Sequence, residues 1–502
     1  MKFKQFLLQY WWIFAFFATF AFFIITFVIG LQQNIWFDES YSIKLAQSSW
    51  RDLFSLTIVD AHPLLFYAIL KIWGILFGFD EFALRILPEL FMSATIFLMI
   101  LLTRKIFGSK IALLSAPIFV LSPMLLRYGF EIRMYSLAAL IAIGSTCVLL
   151  KLTEKNSRKL WIIYGILVAL GMLTLNYMIF VFAAHFIWLI VKFFRAETRP
   201  KILRENWLKS YILAVILYLP WLPFAVSQLT NDVSSGVVES FGPLQIIKIL
   251  SFSLVYQPDF WLSKFANIAI ILIPIIVVFG CVKMWQKLRK QRDEILLILM
   301  IFIVPLILMM FLSLFINVFL ERYIVHFIFS GYILLGASVS YLIINSKNLH
   351  QKILSTICYI LILATLLIGV FSLDNFGNYN FQRMQKNSAQ EIVESFGKCQ
   401  PNSTIVIDDI YEYFAISYYM KECDSLYFFT PNEIEYNGGF APLSHDKNQL
   451  NNQKISTPNL IVVRTKDELN DENYRVPNNY RLVKIDASFE KFEIKYYAQD
   501  LP

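Results

Sequence analysis

Charge is scarce in this chain: Asp, Glu, Lys and Arg make up 16% of 502 residues, whereas 58% are apolar and 47 are phenylalanine. So little charge excludes an intrinsically disordered chain, and so much apolar surface exceeds what one or two soluble cores would bury. Cysteine is scarce too, five in all, with no spacing of the kind that holds zinc. That excludes a disulfide scaffold and a cysteine-built metal domain. Glycine (18) and proline (17) are too few for a collagen-like chain, and no repeat or low-complexity tract is present. What abounds is long hydrophobic runs, the mark of a polytopic membrane protein.

The first run, Phe6 to Gly30, follows Lys2 and Lys4. It is about twice as long as a signal-peptide core and lacks a small-residue cleavage site, so it is expected to be a retained span. Further runs at 84–103, 111–126, 135–150, 160–175, 177–191, 208–226, 265–282, 295–316, 323–344 and 353–373 give eleven candidate helices, within about two. With the N-terminus cytoplasmic, alternate loops collect Arg104, Lys105 and Lys110, then Lys151 to Lys159, then Lys192 to Lys209, then Lys283 to Arg292, then Lys347 and Lys352. The opposite loops are poor in Lys and Arg, as the positive-inside rule requires. The net charge of +8 is therefore a topology signal, and no nucleic-acid partner is expected.

An odd number of spans places everything beyond Phe371 outside the cytoplasm. Residues 1–373 are expected to form the membrane domain, with long outer loops at 31–83 and 227–264, and 374–502 a soluble α/β domain. In that tail the pattern predicts helices over 389–396 and 410–420, strands over 404–407, 425–429 and 460–463, and a hairpin within 480–498. The insert Thr430–Pro458 is long for a loop of a compact domain. Cys147, Cys281 and Cys358 fall in apolar spans, where a buried thiol is the ordinary case; Cys399 and Cys423 share the tail, where an oxidising compartment admits a disulfide or two free thiols.

Chemistry is concentrated in the first outer segment. Asp38 and Glu39 lie between Phe37 and Ser40 a few residues past the first span; acids flanked by aromatic residues at an interface are partly desolvated, which suits a carboxylate to proton abstraction. Asp60 and His62 precede Pro63, which fits the first position of a helix, where free amides and the dipole favour an anion. The apolar run that follows, to Phe77, is too short to span and is expected to lie in the interface. Asp38, Asp60 and His62 are also the candidates for a divalent metal, though no tight spacing enforces one. Two further constellations are Arg127-Tyr128-Gly129-Phe130-Glu131-Ile132-Arg133-Met134-Tyr135, in a short outer turn, and Glu321-Arg322-Tyr323, opening a late span. An Arg–Glu pair closing the helical hairpin is one reading of the turn. The other is that guanidinium groups at headgroup depth grip a lipid phosphate.

FDES after the first span, DAHPLLFY with an apolar helix running to FGFDEFALR, RYGFEIRMYSL, LYLPWLPF at 217–224 and ERY before a late span, in this order, resemble the bacterial glycosyltransferase family 39. These are GT-C-type membrane enzymes related to the dolichyl-phosphate-mannose protein mannosyltransferases and to the aminoarabinose and galacturonic acid transferases of lipopolysaccharide. The family's usual His-Pro-Pro reads His62-Pro63-Leu64 here, and a common His-Tyr reads Asn176-Tyr177. The resemblance implies a GT-C fold of about eleven transmembrane helices with an extracytoplasmic tail domain, in a bacterial plasma membrane. It implies an inverting transfer from a polyprenyl-phosphate-linked sugar donor to an acceptor hydroxyl on lipid A, a surface glycan or a protein. Asp38 then matches the base and Glu39 orients it; Arg133 and Arg322, with Glu131, Tyr135 and Tyr323, hold the donor phosphate; Asp60 and His62 position donor or metal. A transporter or flippase is the alternative, but it would place ionisable groups near the midplane or show two related halves. A scaffold with degenerate front loops is a third.

Overall fold

The computed structural model describes residues 10–499 except 156, 196–205, 231–238, 257–259, 376–388, 398, 400, 401, 422, 430–437, 446, 447, 451–454, 456, 467–473, 490 and 491. The start of the expected first span, Arg199, Lys201 and Arg204, and much of the 227–264 and Thr430–Pro458 segments lie outside the described residues. The chain divides into two compact units, Met1–Gly30 with Ala61–Asp374, and Leu31–Asp60 with Asn375–Pro502. The expected boundary near residue 373 thus meets a second feature: the segment 31–60 groups with the tail.

In the first unit, eight helices among the described residues are long and apolar enough to cross a membrane, or up to ten if each bent pair is one span. The bent pairs explain part of the difference from eleven. The runs expected at 111–126 and 208–226 are Ser109–Val120 with Pro123–Gly129, bent by 59°, and Asn206–Tyr218 with Leu222–Gln228, bent by 75°. Pro123 and Pro220 lack the amide that would carry a helix through. The run expected at 160–175 is a helix of 15 residues, Arg158–Met172, at the short limit for crossing. The apolar run expected to lie in the interface forms the helix Leu65–Phe77, 13 residues and too short to cross.

Helix Val325–Ile344 lies at the centre, buried through most of its length, whereas Trp11–Gly30 and Leu349–Leu373 bury little of theirs. Small residues allow the close approach: Gly336 packs against Ser115, and the Ser115 and Ser340 hydroxyls are 3.4 Å apart. Elsewhere His185 joins its own helix to two others, its Nε2 3.0 Å from Thr146 Oγ1 and its Nδ1 3.0 Å from the Tyr164 hydroxyl. That hydroxyl in turn lies 2.9 Å from Tyr211 of a fourth helix. A polar group in hydrocarbon needs such a partner, so these bonds fix the packing of the four helices.

The second unit is built on a five-stranded sheet of order β2-β1-β3-β5-β4, with β1 Ser403–Ile407, β2 Leu426–Phe428, β3 Asn459–Thr465, β4 Tyr480–Asp486 and β5 Phe492–Gln499. β1 pairs in parallel with β2 and β3; β5 runs antiparallel to β3 and β4. β1 is buried along its whole length, as a central parallel strand must be. Asp409 caps helix Ile410–Tyr419, accepting from the Tyr411 amide at 2.8 Å. Cys399 and Cys423 are disulfide-bonded, with Cα atoms 5.3 Å apart. Closing a loop of that length contributes about 3 kcal/mol, so Cys423→Ser should lower the unfolding temperature of this unit. Thermal unfolding with and without reductant checks it; identical midpoints would contradict the contribution.

Candidate functional site

In the second unit the Asp38-Glu39 pair opens helix Phe37–Gln47. The helix is held by aromatic packing: the Phe37 ring lies 4.8 Å from Tyr411 and 5.1 Å from Phe414, and the Ile35 amide donates to the Tyr419 hydroxyl at 2.9 Å. The residues expected to flank the acids at a membrane interface are therefore the ones that seat them on the tail's first sheet helix. Asp38 is half-buried and Glu39 fully buried. Ser42 Oγ donates to the Asp38 backbone carbonyl at 2.9 Å, closing the first turn. Asp60, 5% exposed, ends this part of the unit.

In the first unit the structure brings together His62, Arg133, Arg322 and Tyr323. The Tyr323 ring lies edge-on to His62 at 6.3 Å, and Arg133 donates to the Tyr67 hydroxyl at 3.3 Å. Tyr135 is buried against Tyr128, 5.5 Å between ring centres. Arg127 Nη1 reaches Glu131 Oε2 at 2.6 Å with both side chains buried, so the Arg–Glu pair forms in this turn. The Glu131 backbone carbonyl accepts from the Arg133 amide at 2.6 Å, closing a tight turn.

Sequence reasoning missed Tyr67 and undervalued Asn176 and Tyr177. Tyr177 stacks on Tyr323 at 4.4 Å and donates to the Val318 carbonyl at 2.9 Å, while Asn176 Nδ2 reaches the Ala61 carbonyl at 3.4 Å. His326 Nε2 lies 3.0 Å from the Tyr177 carbonyl. The position where the resembled family carries His-Tyr thus keeps a wall of the site through its tyrosine.

Burial, followed by the fields of Arg133 and Arg322, holds the His62 imidazole well below its ordinary value of 6.5. The neutral imidazole thus lies in the fields of two guanidinium groups. Two guanidinium neighbours fit an anion and oppose a divalent cation. Among the described residues, no three His, Cys, Asp or Glu side chains are grouped to hold a metal ion. The sign of the pH effect follows. An unfolded chain takes up the His62 proton near 6.5 and the folded chain only at lower pH, so stability falls as pH drops through that window. His62→Gln should flatten part of this slope between about pH 7 and pH 5 in detergent melting curves; parallel slopes would contradict a buried neutral imidazole.

Residues 61–224 match the family model described as dolichyl-phosphate-mannose-protein mannosyltransferase. No curated protein matches the chain. Among solved structures, ArnT from Cupriavidus metallidurans is similar with a TM-score of 0.58 at 12% identity, over 97% of this chain and 98% of that one, both in the apo state and bound to undecaprenyl phosphate. The archaeal oligosaccharyltransferase AglB from Archaeoglobus fulgidus, in complex with an inhibitory peptide and a dolichol-phosphate, has a TM-score of 0.52 at 12% identity, over 82% of this chain and 64% of that one. At such identities the likeness is one of fold. The chain thus has a GT-C-type membrane fold along nearly its whole length, with the match to the mannosyltransferase family model confined to residues 61–224.

Proposed function

We propose that the protein transfers a sugar, with inversion, from a polyprenyl-phosphate-linked donor to a hydroxyl of an envelope acceptor on the extracytoplasmic side of a bacterial plasma membrane. The acceptor classes are lipid A or lipopolysaccharide, a surface glycan and a protein. The observation that carries the reading is the pairing of Arg133 and Arg322 around a buried, neutral His62, walled by Tyr323. A phosphate diester on a lipid anchor suits this group: two planar cations for its oxygens and one neutral imidazole to orient it. That ArnT has been solved with undecaprenyl phosphate and AglB with a dolichol-phosphate supports a lipid phosphate as the ligand class.

In this reading Asp38 accepts the proton of the acceptor hydroxyl as its oxygen attacks the anomeric carbon. The bond from that carbon to the phosphate oxygen breaks, and the electron pair leaves on the lipid phosphate. Negative charge grows on that oxygen in the transition state, where Arg133 and Arg322 stabilise it. Since a phosphate leaves without being protonated, the reaction asks for a base and for cations and has little need of a general acid. Glu39 orients the base, Asp60 and His62 position the donor, and Tyr135 and Tyr323 line its path. Mass spectrometry of envelope glycolipids and glycoproteins, with and without the active protein, tests the reading. A single sugar increment on one acceptor class is expected, and an unchanged set of glycoconjugates overturns it.

A further inference from the structure

Tyr256 has the only positive φ of any non-glycine among the described residues, +56°. That is a strained backbone for a residue with a bulky side chain, and such strain persists where surrounding contacts impose it. The Tyr256 side chain is 3% exposed and packs on Phe252 at 5.4 Å. Arg127 donates to the phenol oxygen, and the Glu321 and Glu131 carboxylates act on the same phenol. Helix Pro243–Leu254, just before it, is pinned by the Tyr332 hydroxyl donating to the Ser253 carbonyl at 2.6 Å. Ahead of that helix, Glu239 exchanges backbone bonds of 2.9 Å with Phe319 in both directions. The stretch 239–256 is therefore a strap. One end is bridged to Phe319, three residues before Arg322; the other reaches Arg127, whose partner Glu131 lies two residues before Arg133.

We propose that Tyr256 is a positioning residue of the donor-phosphate site, fixing through Arg127 the spacing between the segments that carry Arg133 and Arg322. The proposal rests on the phosphate reading above. The strained backbone fits this role: helix Pro243–Leu254 is anchored by Tyr332, and the left-handed turn after it carries the phenol to Arg127. The hydroxyl is the working part, because it accepts from a guanidinium that also holds Glu131. Removing it frees Arg127 to shift and lets the arginine-bearing turn relax, with the apolar packing of the ring unchanged.

Tyr256→Phe keeps the ring and removes the hydroxyl. With purified protein in detergent and undecaprenyl phosphate as the probe, affinity should weaken about 5- to 20-fold, less than the loss of a direct hydrogen bond to the ligand because the hydroxyl acts through Arg127. In a double-mutant cycle with Arg322→Lys the two losses should be less than additive, since both act on one grip; a merely structural tyrosine would lower the melting temperature and leave the cycle additive. If the phenylalanine variant does not fold, Tyr256→His, a smaller polar ring, is read on the same scale. Wild-type affinity in Tyr256→Phe beside weakened binding in Arg133→Lys overturns the positioning role alone. Wild-type affinity in all of these variants overturns the phosphate reading and the positioning role with it.

Discussion

Asp38→Asn should lower turnover by about 100-fold or more, the scale of a lost general base, while the protein folds and binds the donor as before. The substitution is nearly isosteric and conserves the packing that surrounds it: Phe37 stays against Tyr411 and Phe414, and Ser42 still donates to the backbone carbonyl. Only the ability to take a proton is lost. Steady-state turnover of the purified variant, with donor affinity measured beside it, checks the expectation. Near-normal turnover would remove Asp38 from the mechanism. Glu39→Gln provides the contrast: a buried group that orients without accepting the proton should cost less in turnover and more in folded yield.

Arg133→Lys and Arg322→Lys should each weaken donor binding by about 10-fold or more. Lysine preserves the charge but not the planar fork, and an ammonium cannot meet two phosphate oxygens as a guanidinium does. Arg133 would also lose its bond to the Tyr67 hydroxyl. Arg127→Lys should behave differently, because Arg127 is buried against Glu131 and stacked over Tyr128 at 5.0 Å. Breaking that buried pair should lower stability as well as weaken donor binding through the turn that carries Arg133. Donor affinity and detergent melting temperature, read together for the three variants, separate grip from scaffold. Unchanged affinity in both Arg133→Lys and Arg322→Lys would reject the phosphate role.

The membrane helices were legible because hydrocarbon imposes a length and a composition that few other settings require. Even the short apolar helix Leu65–Phe77 was readable as one that does not span, since its run is too short to cross. The bends before Pro123 and beside Pro220 were not, because hydropathy averages over the break and prolines are tolerated where neighbouring helices satisfy the freed carbonyls. The acids and arginines stood out in a chain with so little charge. Their supporting tyrosines did not: in a sequence that is 17% aromatic, nothing local distinguishes Tyr67, Tyr177 or Tyr256 from packing residues. The grouping of 31–60 with the tail was equally hidden. Phe37 reads as an interfacial aromatic residue, and its partners Tyr411 and Phe414 lie hundreds of residues away, a pairing that periodicity cannot reveal.

The most direct measurement of the central claim follows both products of one reaction. Purified protein is incubated with polyprenyl-phosphate sugars and envelope extract, and the lipid and acceptor fractions are weighed by mass spectrometry. Free polyprenyl phosphate should accumulate together with an equal gain of one sugar mass on a single acceptor class, and both signals should vanish in Asp38→Asn. Intact sugar-lipid carried from one leaflet of a vesicle to the other, with no sugar gained by any acceptor, would instead show a flippase and contradict the account.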